Sequence, residues 1–80
     1  MTEQEWRNEF ARRLRKRAKG ELRMDQKELA KRSDLSEMTI SRYLRGERSP
    51  GARELVKLAI ALECRTDDLI MFGEMVELNT

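Results

Sequence analysis

Residues 36–50 read SEMTISRYLRGERSP. Ser36 is of the type that caps a helix by accepting a backbone N–H, and Pro50 with Gly51 breaks the chain at the far end. Between them Ile40, Tyr43 and Leu44 fall at i, i+3 and i+4, which lines them on one apolar face. Glu37, Met38, Thr39 and Arg42 fall on the other side. A short helix of this kind has one side for a core and one that offers hydrogen-bonding groups, a charge of each sign and a thioether to something outside.

Just upstream, DQKE at 25–28 is a capping-box pattern, with Asp25 as cap and Glu28 reaching back. It opens a short helix with Leu29 and Ala30 inward. RSDLS at 32–36 is a tight connection, and Asp34 stands where the chain must turn, a position that Asp tolerates better than most residues other than Gly. Two short helices joined by a tight turn, the second with a polar outer face, form a helix-turn-helix arrangement at about 25–45. A helix about 10–12 Å across fits a DNA major groove about 12 Å wide, provided its outer face carries no bulky core residues.

The remaining segments predict three more helices and no strand. Trp6, Phe10, Leu14 and Ala18 step by four along a first helix, which either ends at Gly20 or runs on toward Leu22. Gly46 suits the C-terminus of the third helix. In ARELVKLAIAL, Leu55, Leu58, Ala59 and Leu62 face inward. TDDLIMF opens a fifth helix, with Thr66 as cap and Asp67 and Asp68 at its positive end. The expected fold is a compact all-α, five-helix unit: one domain over 1–80, with its core at about 10–72 and the tail 73–80 as a candidate dimer element.

Composition narrows the function. Residues 1–23 hold eight Lys/Arg and four Asp/Glu, whereas residues 51–80 hold three and six, so one end is basic and the other acidic. That asymmetry points to a polyanion on one side and another partner on the other, although a run such as RRLRKRAK is also what a solvated helix face looks like. The chain has no His and a single cysteine, Cys64, which rules out an intramolecular disulfide and the usual zinc ligand sets. Cys64 reads as a small core residue rather than a reactive thiol. No apolar run is long enough for a membrane span, and the N-terminus lacks a signal-peptide core, so a cytoplasmic protein, or a nucleoid one in a bacterium, is expected. General acid/base chemistry lacks both the side chains and the room for a pocket, so no enzyme and no cofactor is expected.

The ordered set QKELA, a turn followed by LS, TIS, a Gly after the third helix, and L-x-K-L-A-x-A-L resembles the Cro/cI-type (XRE) helix-turn-helix of phage and bacterial repressors, a lambda-repressor-like fold. The likeness covers about residues 10–72, and it is the order and spacing that are specific. It departs from the family at Asp34, where Gly is usual, and in KGELRMDQ, which is longer or differently arranged than the usual link between the first two helices. The resemblance implies a transcriptional regulator that binds double-stranded DNA, most simply a repressor. In it, Glu37, Met38, Thr39 and Arg42 occupy base-contacting positions, Gln26 binds phosphate or braces the reading helix, and Ser36 and Arg45 flank them at phosphate.

The side chains themselves leave choices open. Arg42 suits a guanine, Glu37 a cytosine amino group, and Met38 with the Thr39 methyl a thymine methyl. Glu37 equally suits a helix N-terminus with no ligand at all. Lys27 and Arg48, with Lys31, Arg13 and Arg17, are individually weaker phosphate candidates. One such unit reads few base pairs, so a homodimer on a pseudo-palindromic site is expected, with Met71, Phe72, Met75 and Val76, beside the end of the fourth helix, as its seam, the alternative being that this tail folds back on its own core. Trp6 is a second interface candidate. The rival is a module whose main role is to hold a protein partner, such as a toxin or another regulator. Eighty residues leave no room for an effector domain, so control is expected to come from concentration, dimerisation and operator affinity.

Overall fold

A computed structural model describes residues 2–70. Met71, Phe72, Met75 and Val76 lie outside the described residues. Five α-helices occur within them: α1 Glu3–Arg15, α2 Gln26–Ser33, α3 Glu37–Leu44, α4 Ala52–Ala61 and α5 Thr66–Leu69. They enclose one core, in which Phe10, Leu14, Leu29, Ile40, Tyr43, Leu58, Leu62 and Leu69 are fully buried. Phe10 meets Tyr43 edge-on at a centroid distance of 5.7 Å, and Trp6 stacks over Phe10 at 6.0 Å, half-buried. The inward faces of α1, α2 and α3 are those the periodicity predicts. Leu35 and Leu55 are only partly buried and pack on the rim of the core.

Local chemistry explains where the helices begin. The Thr2 hydroxyl accepts from the Glu5 N–H, and the Glu5 carboxylate accepts from the Thr2 N–H, both at 3.1 Å, a complete capping box. Asp25 caps α2 as expected, accepting from the Glu28 N–H at 2.8 Å. Glu28 does not reach back, because Arg32 one turn on takes its carboxylate at 2.8 Å. Thr66 is not the cap of α5 but its first residue. The Asp68 carboxylate closes that end, accepting from the Arg65 N–H at 2.9 Å.

Three helices end in the same way. Asp34, Gly46 and Glu63 take left-handed φ values of 58°, 70° and 52°. In each case the following N–H returns to the carbonyl five residues back: Leu35 to Ala30, Glu47 to Arg42, and Cys64 to Ala59, at 2.9–3.1 Å. This is the Schellman closure, which satisfies carbonyls that a helix end leaves bare. Asp34 thus does the work usually given to Gly, at a backbone cost of about 1 kcal/mol.

The long link after α1 is a wide π turn over Lys16–Glu21. It neither stops at Gly20 nor continues as α-helix. Leu22 N–H bonds to the Arg17 carbonyl at 3.0 Å and Met24 N–H to that of Ala18 at 2.8 Å, with Arg23 at φ 57° between them. The extra residues are taken up by widening the turn, which leaves Ala18 and Met24 both buried.

On the surface of α1, Arg12 and Arg13 both grip Glu9, with nearest contacts at 2.6 and 2.9 Å, and hold its carboxyl down at about 2 from the usual 4.5. A carboxylate whose pKa falls on folding contributes stability above its unfolded pKa and loses it as pH drops toward the folded one. Urea denaturation is therefore expected to show stability falling between pH 4.5 and 2, by about 1 kcal/mol more in the wild type than in Glu9→Gln. Equal losses in the two proteins would remove the Glu9 pairs from the account.

Candidate nucleic-acid interface

α3 owes its start to Ser36, whose hydroxyl accepts from the Thr39 N–H at 3.0 Å. The same hydroxyl donates to Thr39 Oγ1 at 2.8 Å. Ile40, Tyr43 and Leu44 point into the core, and that leaves Glu37, Met38 and Arg42 on the exposed side. Met38 is 64% exposed, a large apolar side chain held in solvent on a polar face. Met38 and Arg42 are one turn apart and share a row. Thr39 is half-buried, and with Ser36 already donating to it, its own proton and its methyl are what it can present outward. Ser41, one turn beyond Glu37 and one before Arg45, lies in the neighbouring row and is a polar position that sequence reading passed over.

Both ends of this helix are held from other elements. At the N-terminal end Gln26 Nε2 donates to the Glu37 carbonyl at 3.2 Å. Of the two roles implied for Gln26, bracing is the one it performs here. At the C-terminal end Arg15 Nη1 donates to the Leu44 carbonyl at 2.6 Å. Arg15 belongs to the RRLRKRAK run, in which composition sets it apart from none of its neighbours. A guanidinium reaching a carbonyl 29 positions away leaves no local signal.

The remaining cations sort by what they touch. Lys27, Arg42 and Arg48 are exposed and enter no ion pair among the described residues. Arg45 is exposed and paired at the surface with Glu47 at 2.9 Å. Two weaker phosphate candidates are committed elsewhere. Arg17 donates to the Leu62 and Glu63 carbonyls at 2.9 and 3.1 Å and so closes the end of α4, while Arg13 is tied to Glu9. Cys64 is half-buried, and burial, then Asp68, push its thiol up, away from the thiolate form a reactive cysteine needs. Among the described residues no cluster of His, Cys, Asp and Glu could hold a metal ion. No described helix is long and apolar enough to cross a membrane.

This geometry, two short helices crossing through a left-handed turn with the second presenting a braced polar row, has a counterpart in sequence: residues 12–69 match the helix-turn-helix family. The chain belongs to that family. It is a DNA-binding transcriptional regulator of helix-turn-helix type. Among solved structures it is similar to the restriction-modification controller protein C.AhdI from Aeromonas hydrophila, with a TM-score of 0.75 and 28% sequence identity. The alignment covers 80% of this chain and 96% of that one. No curated protein matches the chain.

Proposed function

We propose that this helix-turn-helix protein acts as a homodimer on a pseudo-palindromic duplex site and represses the promoter that contains it. The observation that carries the reading is the outer row of α3: Glu37, Met38 and Arg42 are exposed, while Gln26 and Arg15 fix both ends of the helix. Side chains on a braced helix reach base edges at defined depths, which is what sequence discrimination requires. In this reading Arg42 takes guanine O6 and N7, Glu37 accepts from a cytosine amino group, and Met38 with the Thr39 methyl packs on thymine methyls. Lys27, Ser36, Arg45 and Arg48 lie around the helix ends and meet phosphate, which sets register and affinity without naming bases, while Gln26 braces the start of α3.

A dimer is supported by the face away from α3. On α4, Val56 and Ile60 are one turn apart and 50% and 72% exposed. Beside Ile60 runs an open groove of about 850 Å³ whose lining carries charges of both signs, Arg12, Lys16 and Arg65 together with Glu21, Glu63, Asp67 and Asp68. A two-fold pairing over this face buries Val56 and Ile60 and lets groove charges of one copy meet opposite charges of its partner. Met71, Phe72, Met75 and Val76 extend the seam in this proposal. The likeness to a restriction-modification controller protein favours a controller role over that of a toxin-holding module.

Sedimentation at micromolar concentration is expected to show a dimer, alone or on a duplex; monomer under both conditions contradicts the two-fold reading. For the phosphate contacts, Lys27→Ala and Arg45→Ala are each expected to weaken binding about uniformly across sequences and to lower the salt slope by about one. An unchanged slope removes the residue from the phosphate set.

A further inference from the structure

The first turns of α1 precede residue 12, where the family match begins. Even so, they make specific contacts with the loop that follows the recognition helix, residues 45–51. Gln4 Nε2 donates to the Gly46 carbonyl at 2.9 Å and to Asn8 Oδ1 at 2.9 Å. Arg7 Nε donates to Ser49 Oγ at 3.4 Å, and its other arm is held by Glu3 at 2.6 Å. The fit is close. A Cβ on Gly46 would stand 2.6 Å from Asn8 Oδ1, and Gly46 already has φ +70°. Glycine is therefore favoured there for its left-handed backbone, and a larger residue would also have to displace the end of the Asn8 side chain.

The held loop carries Arg45 and Arg48, the two exposed cations beyond the C-terminal end of α3. Loop backbone that is free to move places its cations poorly, and a phosphate contact then has to order the loop as well as neutralise the charge. We propose that Gln4 and Arg7 are positioning residues for DNA binding, holding the 45–51 loop so that Arg45 and Arg48 are set for the phosphate backbone. The proposal rests on the DNA-reading role of α3. It adds that the N-terminal turns, which touch neither core nor groove through these side chains, tune affinity from outside the family region.

Gln4 gives the cleaner test, because it is uncharged and its removal deletes no ion pair with DNA. The affinity of the full chain for one duplex is measured from 50 to 200 mM salt for wild type, Gln4→Ala, the Arg45→Ala/Arg48→Ala pair, and all three changes together. Gln4→Ala is expected to lower the salt slope by about one, each phosphate contact being worth about 0.9. In the background that lacks both loop arginines, Gln4→Ala is expected to change neither slope nor affinity. Thermal midpoints are read on the same proteins. A Gln4→Ala protein with wild-type slope, or one that loses as much affinity without the loop arginines as with them, overturns the proposal. A wild-type chain with no salt-dependent duplex binding overturns the α3 reading beneath it.

Discussion

Phe10→Ala is expected to destabilise the fold by about 3–5 kcal/mol, the range for deleting a fully buried aromatic side chain. An 80-residue domain holds roughly 4–12 kcal/mol in total, so much or all of the folded population goes with it. Phe10 is fully buried and stands edge-on to Tyr43, which fixes α3 from below. Losing it removes the ring against which both Tyr43 of α3 and Trp6 of α1 pack, and leaves a cavity between the two helices. Urea denaturation followed by circular dichroism reads the change. A loss below about 1.5 kcal/mol would mean that α1 packs less tightly than described, since even Ile→Val deletions reach that size.

The second large effect falls on recognition. Arg42→Ala is expected to weaken binding to the preferred duplex by about 1–3 kcal/mol, and to flatten the preference at one base position in each half-site. Its binding to unrelated duplexes is expected to fall far less. Arg42 is exposed on the outer row and enters no ion pair among the described residues, so folding is not expected to suffer. Competition between the preferred duplex and single-base variants gives the answer. Equal weakening on every duplex would reassign Arg42 to phosphate.

Much of this architecture is legible in the chain because its signals are local. Ile40, Tyr43 and Leu44 declare the inner face of α3 by spacing alone, and Ser36 and Asp25 declare the helix starts because a cap acts within three residues. Gly46 announces a left-handed turn. Asp34 is readable in the same way, since short polar side chains tolerate that backbone and the resemblance places a turn there. Other features leave no such trace. Arg23 and Glu63 also take left-handed φ, yet nothing in their side chains favours it; the packing on either side imposes it. The π turn over Lys16–Glu21 is chosen by the need to bury both Ala18 and Met24, a tertiary demand. Glu28 carries a cap signal that Arg32 outcompetes.

The same divide runs through the site. Glu37, Met38 and Arg42 are identifiable as outward residues from the helix register, and the structure exposes all three. The arginines are harder to read, because composition treats them alike while geometry does not. Arg15 and Arg17 spend their donors on helix-end carbonyls 29 and 45 residues away, Arg13 is tied to Glu9, and Arg42 and Arg48 remain for a ligand. A charge run read as one basic face is therefore several different devices. Of the two hydrogen bonds that brace α3, the one from Gln26 was among the roles the resemblance implied, and the one from Arg15 left no local trace.

The claim that α3 reads bases is tested most directly by selecting bound duplexes from a random library at near-physiological salt and sequencing them, with wild type and Arg42→Ala side by side. If α3 reads bases, the wild type selects an inverted repeat whose half-sites lie about one helical turn, roughly 34 Å, apart, and the variant loses preference at one position in each half. A wild-type pool with no enriched motif would contradict it, leaving a basic surface that holds DNA without reading it.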